Sequence, residues 1–160
     1  IGSRGTPFVQ IGDQEWQDIF RVNMDGMFYT LQCAVKHMVE HGHGGSLVTT
    51  SSGSTIFGAP RAEHYASTKA GATAMMKGLA VEHARHGIRV NTVIPGWIDT
   101  PMTERVIGSE PFESKVKTRI PMRRWGTGDD FRGIAVYLAS EASRYHTGDT
   151  FVIDGGFAVF

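Results

Sequence analysis

The sequence holds a single cysteine, Cys33, among 160 residues, so an internal disulfide is excluded. Neither sign of charge is in excess: 16 Lys and Arg balance 16 Asp and Glu. With no basic stripe and no block of like charge, nothing draws nucleic acid or an anionic lipid surface electrostatically. No apolar run approaches the roughly 18 residues of a membrane-spanning helix. The opening, Ile1-Gly2-Ser3-Arg4-Gly5, lacks the basic-then-apolar order of a secretory leader. Repeats, low-complexity tracts and linkers are also missing. What remains is an ordinary globular composition, 41% hydrophobic and 20% charged, in a length that suits one domain over 1–160. These absences predict a cytoplasmic protein with Cys33 as a buried, reduced thiol on an amphipathic helix.

After a Gly-containing loop over 1–12, Asp13 reads as an N-cap. Trp16, Ile19, Phe20, Met27, Leu31, Val35 and Met38 then trace one helical stripe that ends at Gly42, Gly44 and Gly45. Residues 46–50 read as a strand running into Ser51-Ser52, followed by a loop over about 53–61 and a helix over about 63–86. The helix stops at Gly87, a suitable C′ residue. Residues 88–94 form the next strand, closed by Pro95-Gly96. The stretch 97–125 is irregular, broken by Pro101, Pro111 and Pro121, with room for short helices. Thr127 and Asp130 have capping-box spacing ahead of a helix to about Ala139, and Thr150–Ile153 is the last strand. Strands alternating with helices predict right-handed crossovers and a parallel sheet. Three strands are few for an α/β domain, so the pattern reads as part of a larger sheet.

The chemistry concentrates around Tyr65 and Lys69, four apart and so on one helix face. A lysine charge beside a phenol favours the phenolate and predicts a tyrosine pKa below its usual value of roughly 10. Ser52, thirteen positions before Tyr65, offers a hydroxyl for a carbonyl or alcohol oxygen; Ser51 is its rival. Asn23 lies on the apolar stripe, where an amide must find partners or cost roughly 1–3 kcal/mol. His37, His41 and His43 approach ligand spacing, but no acidic or cysteine partner accompanies them. A cation at a helix C-terminus is the better reading, and no metal is expected.

In joint spacing, these motifs resemble the C-terminal two-thirds of a short-chain dehydrogenase/reductase. Asn23-Met24-Asp25-Gly26 resembles the family's N-x-x-G, Thr49–Ser52 the strand end bearing the active serine, and Tyr65 through Lys69 its Y-x-x-x-K. Arg89-Val90-Asn91 and Pro95-Gly96-Trp97-Ile98-Asp99-Thr100 resemble elements near the nicotinamide, and Asp154-Gly155-Gly156 the D-G-G close to the C-terminus. The resemblance implies an α/β, Rossmann-like doubly wound parallel sheet, of which this chain is the C-terminal part. The family's Gly-rich turn for the cofactor pyrophosphate does not occur in these 160 residues. A fragment of a longer protein is therefore expected.

The resemblance also implies roles. Tyr65 would be the general acid or base, Lys69 would lower its pKa and bind the nicotinamide ribose, and Ser52 would hold the substrate oxygen. Asn23 would order a water linking Lys69 to solvent. Pro95, Gly96, Ile98 and Thr100 would line the nicotinamide of NAD or NADP, with the Ile98 backbone and Thr100 hydroxyl meeting its carboxamide. Residues 97–125 would form a substrate lid, its mobile part 101–125. Trp97, Met102 and Val106 are candidates for an apolar substrate wall, and Ser54, Thr55 and His64 for polar contacts. The substrate would be a small carbonyl or secondary alcohol: a sugar-like polyol, a hydroxysteroid or an acyl thioester. A homo-oligomer, tetramer or dimer, is implied, with Phe157–Phe160 at a subunit interface. Two other readings stand beside this one. The chain could be a non-catalytic remnant associating through its helices and its first strand, or an enzyme of the same fold performing epimerisation or dehydration.

Overall fold

The computed structural model describes residues 1–104 and 106–160. Three parallel strands, β1 (Gly45–Thr50), β2 (Ile88–Pro95) and β3 (Thr150–Ile153), lie in the order β1-β2-β3. Leu47 pairs with Val90 and Val93 with Phe151. The helices are α1 (Asp13–Phe20), α2 (Gly26–His41), α3 (Glu63–His83), α4 (Glu110–Lys117) and α5 (Arg132–Ala139). Among the described residues no helix is long and apolar enough to cross a membrane.

Strand alternation sends the two faces of the sheet to different helices. Leu47, Ile88 and Val90 point one way and meet Leu31 and Val35 of α2 and Met76 and Ala80 of α3 in the main core. Ser46 and Arg89, partners across β1 and β2, point the other way to the C-terminus of α5. The Ser46 hydroxyl and the Arg89 guanidinium both donate to the Leu138 carbonyl, at 2.7 and 3.0 Å. A helix C-terminus leaves carbonyls without intrahelical partners, and these donors satisfy one of them. Helices thus cover both faces, as a doubly wound Rossmann-like sheet requires.

The long N-terminal helix is not continuous. A π-helical turn, Arg21–Asp25, separates α1 from α2 and carries Asn23. Such turns add a residue and shift the phase of everything beyond them. Ile19, Leu31 and Val35 are buried, while Trp16 is 41% exposed and stacks on Phe20 with ring centroids 4.5 Å apart. Cys33 is exposed, contrary to the buried thiol expected. It stands two residues from both Leu31 and Val35, which places it on the far side of α2. Asp13 is the first helical residue and Gly12 the cap.

At the N-terminal pole of the sheet, the turns that follow α2 and α3 meet. Gly44 (φ 67°) and Gly87 (φ 69°) both adopt left-handed backbone, and a Cβ on Gly44 would come within 2.6 Å of the Gly87 carbonyl oxygen. Only glycine permits this approach. His37 and His41 lie at this pole, with ring centroids 4.1 Å apart. No three His, Cys, Asp or Glu residues among those described form a metal-holding group.

Candidate functional site

The opposite pole gathers the chemistry. β1, β2 and β3 all end there, and α3, antiparallel to them, begins there. Open parallel sheets take ligands at this edge. Ser52 follows β1 directly, and Tyr65 and Lys69 face it from the first turns of α3. The Lys69 Nζ donates to the Thr50 carbonyl at 2.8 Å and lies 5.8 Å from the centroid of the Tyr65 ring. Ser51 is 3% exposed and bonded to α3, donating to the Lys69 carbonyl at 3.2 Å and paired with Thr73 Oγ1 at 2.9 Å. Ser51 therefore locks the strand end to α3, and Ser52 is the hydroxyl left beside the phenol.

The electrostatics differ from the expectation in sign. Burial pushes the Tyr65 phenol above its ordinary range, and the neighbouring Ser52 hydroxyl offsets part of that. Burial also pulls the Lys69 ammonium below its ordinary range. With the ammonium directed at a backbone carbonyl, desolvation dominates at the phenol.

Asn23 stands behind Tyr65. Its Nδ2 donates to Thr68 Oγ1 at 3.1 Å and to the Ile1 carbonyl at 2.9 Å, and its Oδ1 accepts from the Ile1 nitrogen at 2.6 Å. Thr68 Oγ1 donates in turn to the Tyr65 carbonyl at 2.7 Å. Neither Thr68 nor Ile1 carried a sequence signal as a partner of Asn23, because the pairing spans distant residues.

Pro95 closes β2. The Gly96 N–H donates to the Ile153 carbonyl at 2.9 Å, and a Cβ on Gly96 would lie 2.5 Å from Asp154 Cα. Ile98 bridges Gly126 through its neighbours: Gly126 N–H donates to Trp97 O and Asp99 N–H to Gly126 O, each at 2.9 Å. The Ile98 carbonyl accepts from Thr103 Oγ1 at 2.6 Å, and no described residue accepts from the Ile98 N–H. Thr103 also engages the Thr100 hydroxyl, at 3.1 Å, so Thr100 Oγ1 is not the free donor expected.

Other candidates are placed elsewhere. Arg89 serves α5, and Asn91, 0% exposed, bonds the His146 carbonyl and the Asp149 N–H. Both are scaffold, away from Lys69 and Ile98. His64 is wholly buried against Glu15. Ser54 Oγ is buried without a partner, and Thr55 Oγ1 is spent on the Ser52 carbonyl at 2.7 Å. Met102 is 64% exposed and packs beside Gly2, apart from Trp97. Phe157 is buried against Phe57, which leaves only Val159 and Phe160 of the C-terminal tail strongly exposed.

The 97–125 stretch contains α4 and one aromatic cluster; Arg105 within it lies outside the described residues. Phe112 meets Trp97 edge-on at 5.0 Å and stacks on Trp125 at 6.2 Å. Trp125 Nε1 donates to Glu113 at 2.9 Å, and Arg124 grips Asp130 through its two terminal guanidinium nitrogens at 2.7 and 2.6 Å. A cavity of about 130 Å³ opens here between Trp97, Ile98, Arg124, Asp130 and Ile153. Tyr65, Ser52 and Lys69 are not among the residues that line it.

Trp125 and Lys117 hold Glu113 below the ordinary glutamate range, and Arg124 does the same more strongly for Asp130. A carboxylate depressed in the fold adds stability above its unfolded pKa and loses it as pH falls through the folded one. Trp125 emission is thus expected to hold as pH drops to about 4.3, the ordinary glutamate value, and to change only below it. A midpoint above that value, or the same change in Trp125→Phe, would contradict the arrangement.

The family profile described as Enoyl-(Acyl carrier protein) reductase matches residues 1–158, and the chain belongs to this family of short-chain dehydrogenases/reductases. It is 38% identical over 140 residues to an L-rhamnose 1-dehydrogenase (NAD(P)(+)) of Sphingomonas sp. (strain SKA58), covering 88% of this chain and 55% of that protein. It is 37% identical over 157 residues to a 3-oxoacyl-acyl-carrier-protein reductase of Thermotoga maritima, covering 98% and 63%. Among solved structures, a gluconate 5-dehydrogenase from Burkholderia cenocepacia J2315, in complex with NADP and tartrate, superposes with a TM-score of 0.94 at 31% identity, covering 99% of this chain and 62% of that one. The chain thus spans between about half and two-thirds of these relatives' lengths.

Proposed function

We propose that this chain carries the proton-transferring and substrate-facing groups of an NAD(P)-dependent oxidoreductase that interconverts a secondary alcohol and a carbonyl compound. The observation that carries the reading is the convergence of Ser52, Tyr65 and Lys69 at the C-terminal edge of the sheet. The residues present suit a nicotinamide riboside. Among the described residues the Ile98 N–H is without an acceptor beside Pro95 and Gly96, where a carboxamide oxygen could use it, and Lys69 stands one helical turn from the phenol to meet ribose hydroxyls. When bound, the nicotinamide supplies or takes the hydride. Tyr65 gives its proton to the substrate oxygen, or takes it back, while Ser52 holds that oxygen in place. A phenol held protonated by burial suits reduction at neutral pH; the reverse reaction needs the phenolate and rises with pH.

Residues 97–125 form the substrate lid, which α4 closes through Phe112 between Trp97 and Trp125. Two of the three relatives act, by name, on polyhydroxylated compounds, which supports a sugar or sugar acid as substrate. The exposed Val159 and Phe160 support a homo-oligomer. The complete protein is expected to change nicotinamide absorbance with L-rhamnose, D-gluconate or a 3-oxoacyl thioester. Conversion of substrate with no net change in absorbance would instead indicate epimerisation or dehydration.

A further inference from the structure

Tyr65 and Lys69 share one face of α3, and the adjoining face carries a second pair at the same spacing, His64 and Thr68. Both are 0% exposed. One position along a helix is a rotation of about 100°. The first pair therefore meets the strand ends while the second meets the N-terminal elements. Thr68 binds Asn23 of the π-helical turn and also the Tyr65 carbonyl. His64 Nε2 lies 3.2 Å from Glu15 Oε1 on α1, and Thr6 Oγ1 donates to the same carboxylate, at 3.0 and 2.9 Å to its two oxygens. The Glu15 side chain is only 17% exposed, so the pair is largely shielded from water.

The arrangement is costly for a merely structural contact. His64 Nδ1 is buried with no partner among the described residues. A buried nitrogen left unsatisfied opposes folding, and an aliphatic side chain of similar volume would fill the same space without it. What the imidazole adds is a directed bond, fixed in length and angle, from α1 to the residue immediately before the phenol.

Resting on the proposed role of Tyr65, we infer that His64, held by Glu15, is a positioning residue. It sets the entry of α3 so that the Tyr65 hydroxyl stands at proton-transfer distance from the substrate oxygen. Transfer requires donor and acceptor within about 2.6–3.2 Å, and a 1 Å misplacement costs about a hundredfold.

The test uses the complete protein and three variants. His64→Leu removes the donor and keeps the bulk. His64→Gln offers an amide N–H to the same carboxylate. Glu15→Gln removes the charge that orients the ring. Turnover is followed with NADP+ or NAD+ for L-rhamnose or D-gluconate, or with NADPH or NADH for a 3-oxoacyl thioester, whichever reacts. Amide hydrogen exchange over residues 63–69 and 75–83 is read in parallel and needs no substrate. His64→Leu is expected to lower kcat by about 10- to 100-fold with the KM for cofactor within about twofold. Exchange over 63–69 should quicken about tenfold while 75–83 changes little, and His64→Gln should restore both. Glu15→Gln should fall between the two. Unchanged kcat in His64→Leu overturns the inference, as does a glutamine variant that behaves like the leucine one. Quickened exchange along the whole of α3 also overturns it, because that marks a purely structural tie. If no substrate reacts, the exchange pattern alone decides. Undiminished turnover in Tyr65→Phe removes the proposed function instead, which keeps the two failures distinct.

Discussion

Replacing Tyr65 with phenylalanine is expected to lower turnover by about 10²- to 10⁴-fold, the usual share of a positioned acid or base. The substitution removes one hydroxyl and little volume, so the fold should survive. Cofactor affinity, measured by nicotinamide fluorescence titration, should stay within a few-fold, because the lysine and the Ile98 N–H remain. The pH profile adds a sharper test. Burial raises the phenol above the ordinary tyrosine range. In the reducing direction, kcat/KM should therefore show no loss attributable to Tyr65 below about pH 10. A limb well below that value would mean that the Lys69 charge outweighs desolvation, as the sequence alone suggested. Full activity in Tyr65→Phe would place the proton donor elsewhere.

Asn91→Leu is expected to give the largest loss of stability. The asparagine is 0% exposed and spans two backbone groups, donating to the His146 carbonyl at 3.0 Å and accepting from the Asp149 N–H at 3.1 Å. Leucine matches its shape and leaves both groups without that partner. A cost of about 2–4 kcal/mol follows from two unmade bonds at part-buried groups. In a protein of about 150–250 residues that lowers the thermal midpoint by roughly 10 °C. Activity measured well below the midpoint should be nearly unchanged, since Asn91 serves the 146–149 loop. A variant that stays stable but loses cofactor binding would return Asn91 to the nicotinamide site. Arg89 makes the same point on the same face of β2, its guanidinium spent on Leu138, Ser140 and Ser143.

Much of this could be read before any coordinate. The alternation of strands and helices was legible because periodicity is a local property: Thr150–Ile153 and the start of α3 at Glu63 fall where the pattern puts them. The capping signal at Thr127 and Asp130 was legible for the same reason, since its partners are three residues apart: Thr127 N–H donates to Asp130 at 2.8 Å. Tyr65 and Lys69 had to share a face once their helix was recognised. The π-helical turn at Arg21–Asp25 was not legible, because one extra residue in a turn leaves no composition mark. Nor was the packing of Trp97 with Phe112 and Trp125, whose partners are fifteen and twenty-eight residues away.

The sequence by itself determined which groups could do chemistry and on which elements they ride: a phenol and an ammonium one helical turn apart, a hydroxyl at a strand end, and a Pro-Gly exit from the next strand. Tertiary structure decided what those groups are. It aimed Lys69 at the Thr50 carbonyl, half-buried the phenol, bound Ser51 to α3 and left Ser52 beside the phenol, and set His64 against Glu15. The reason is physical. Helix and strand phase follow from bonds and contacts within a few residues, whereas desolvation and hydrogen-bond partners depend on atoms brought together from across the chain, and those fix the direction of a pKa.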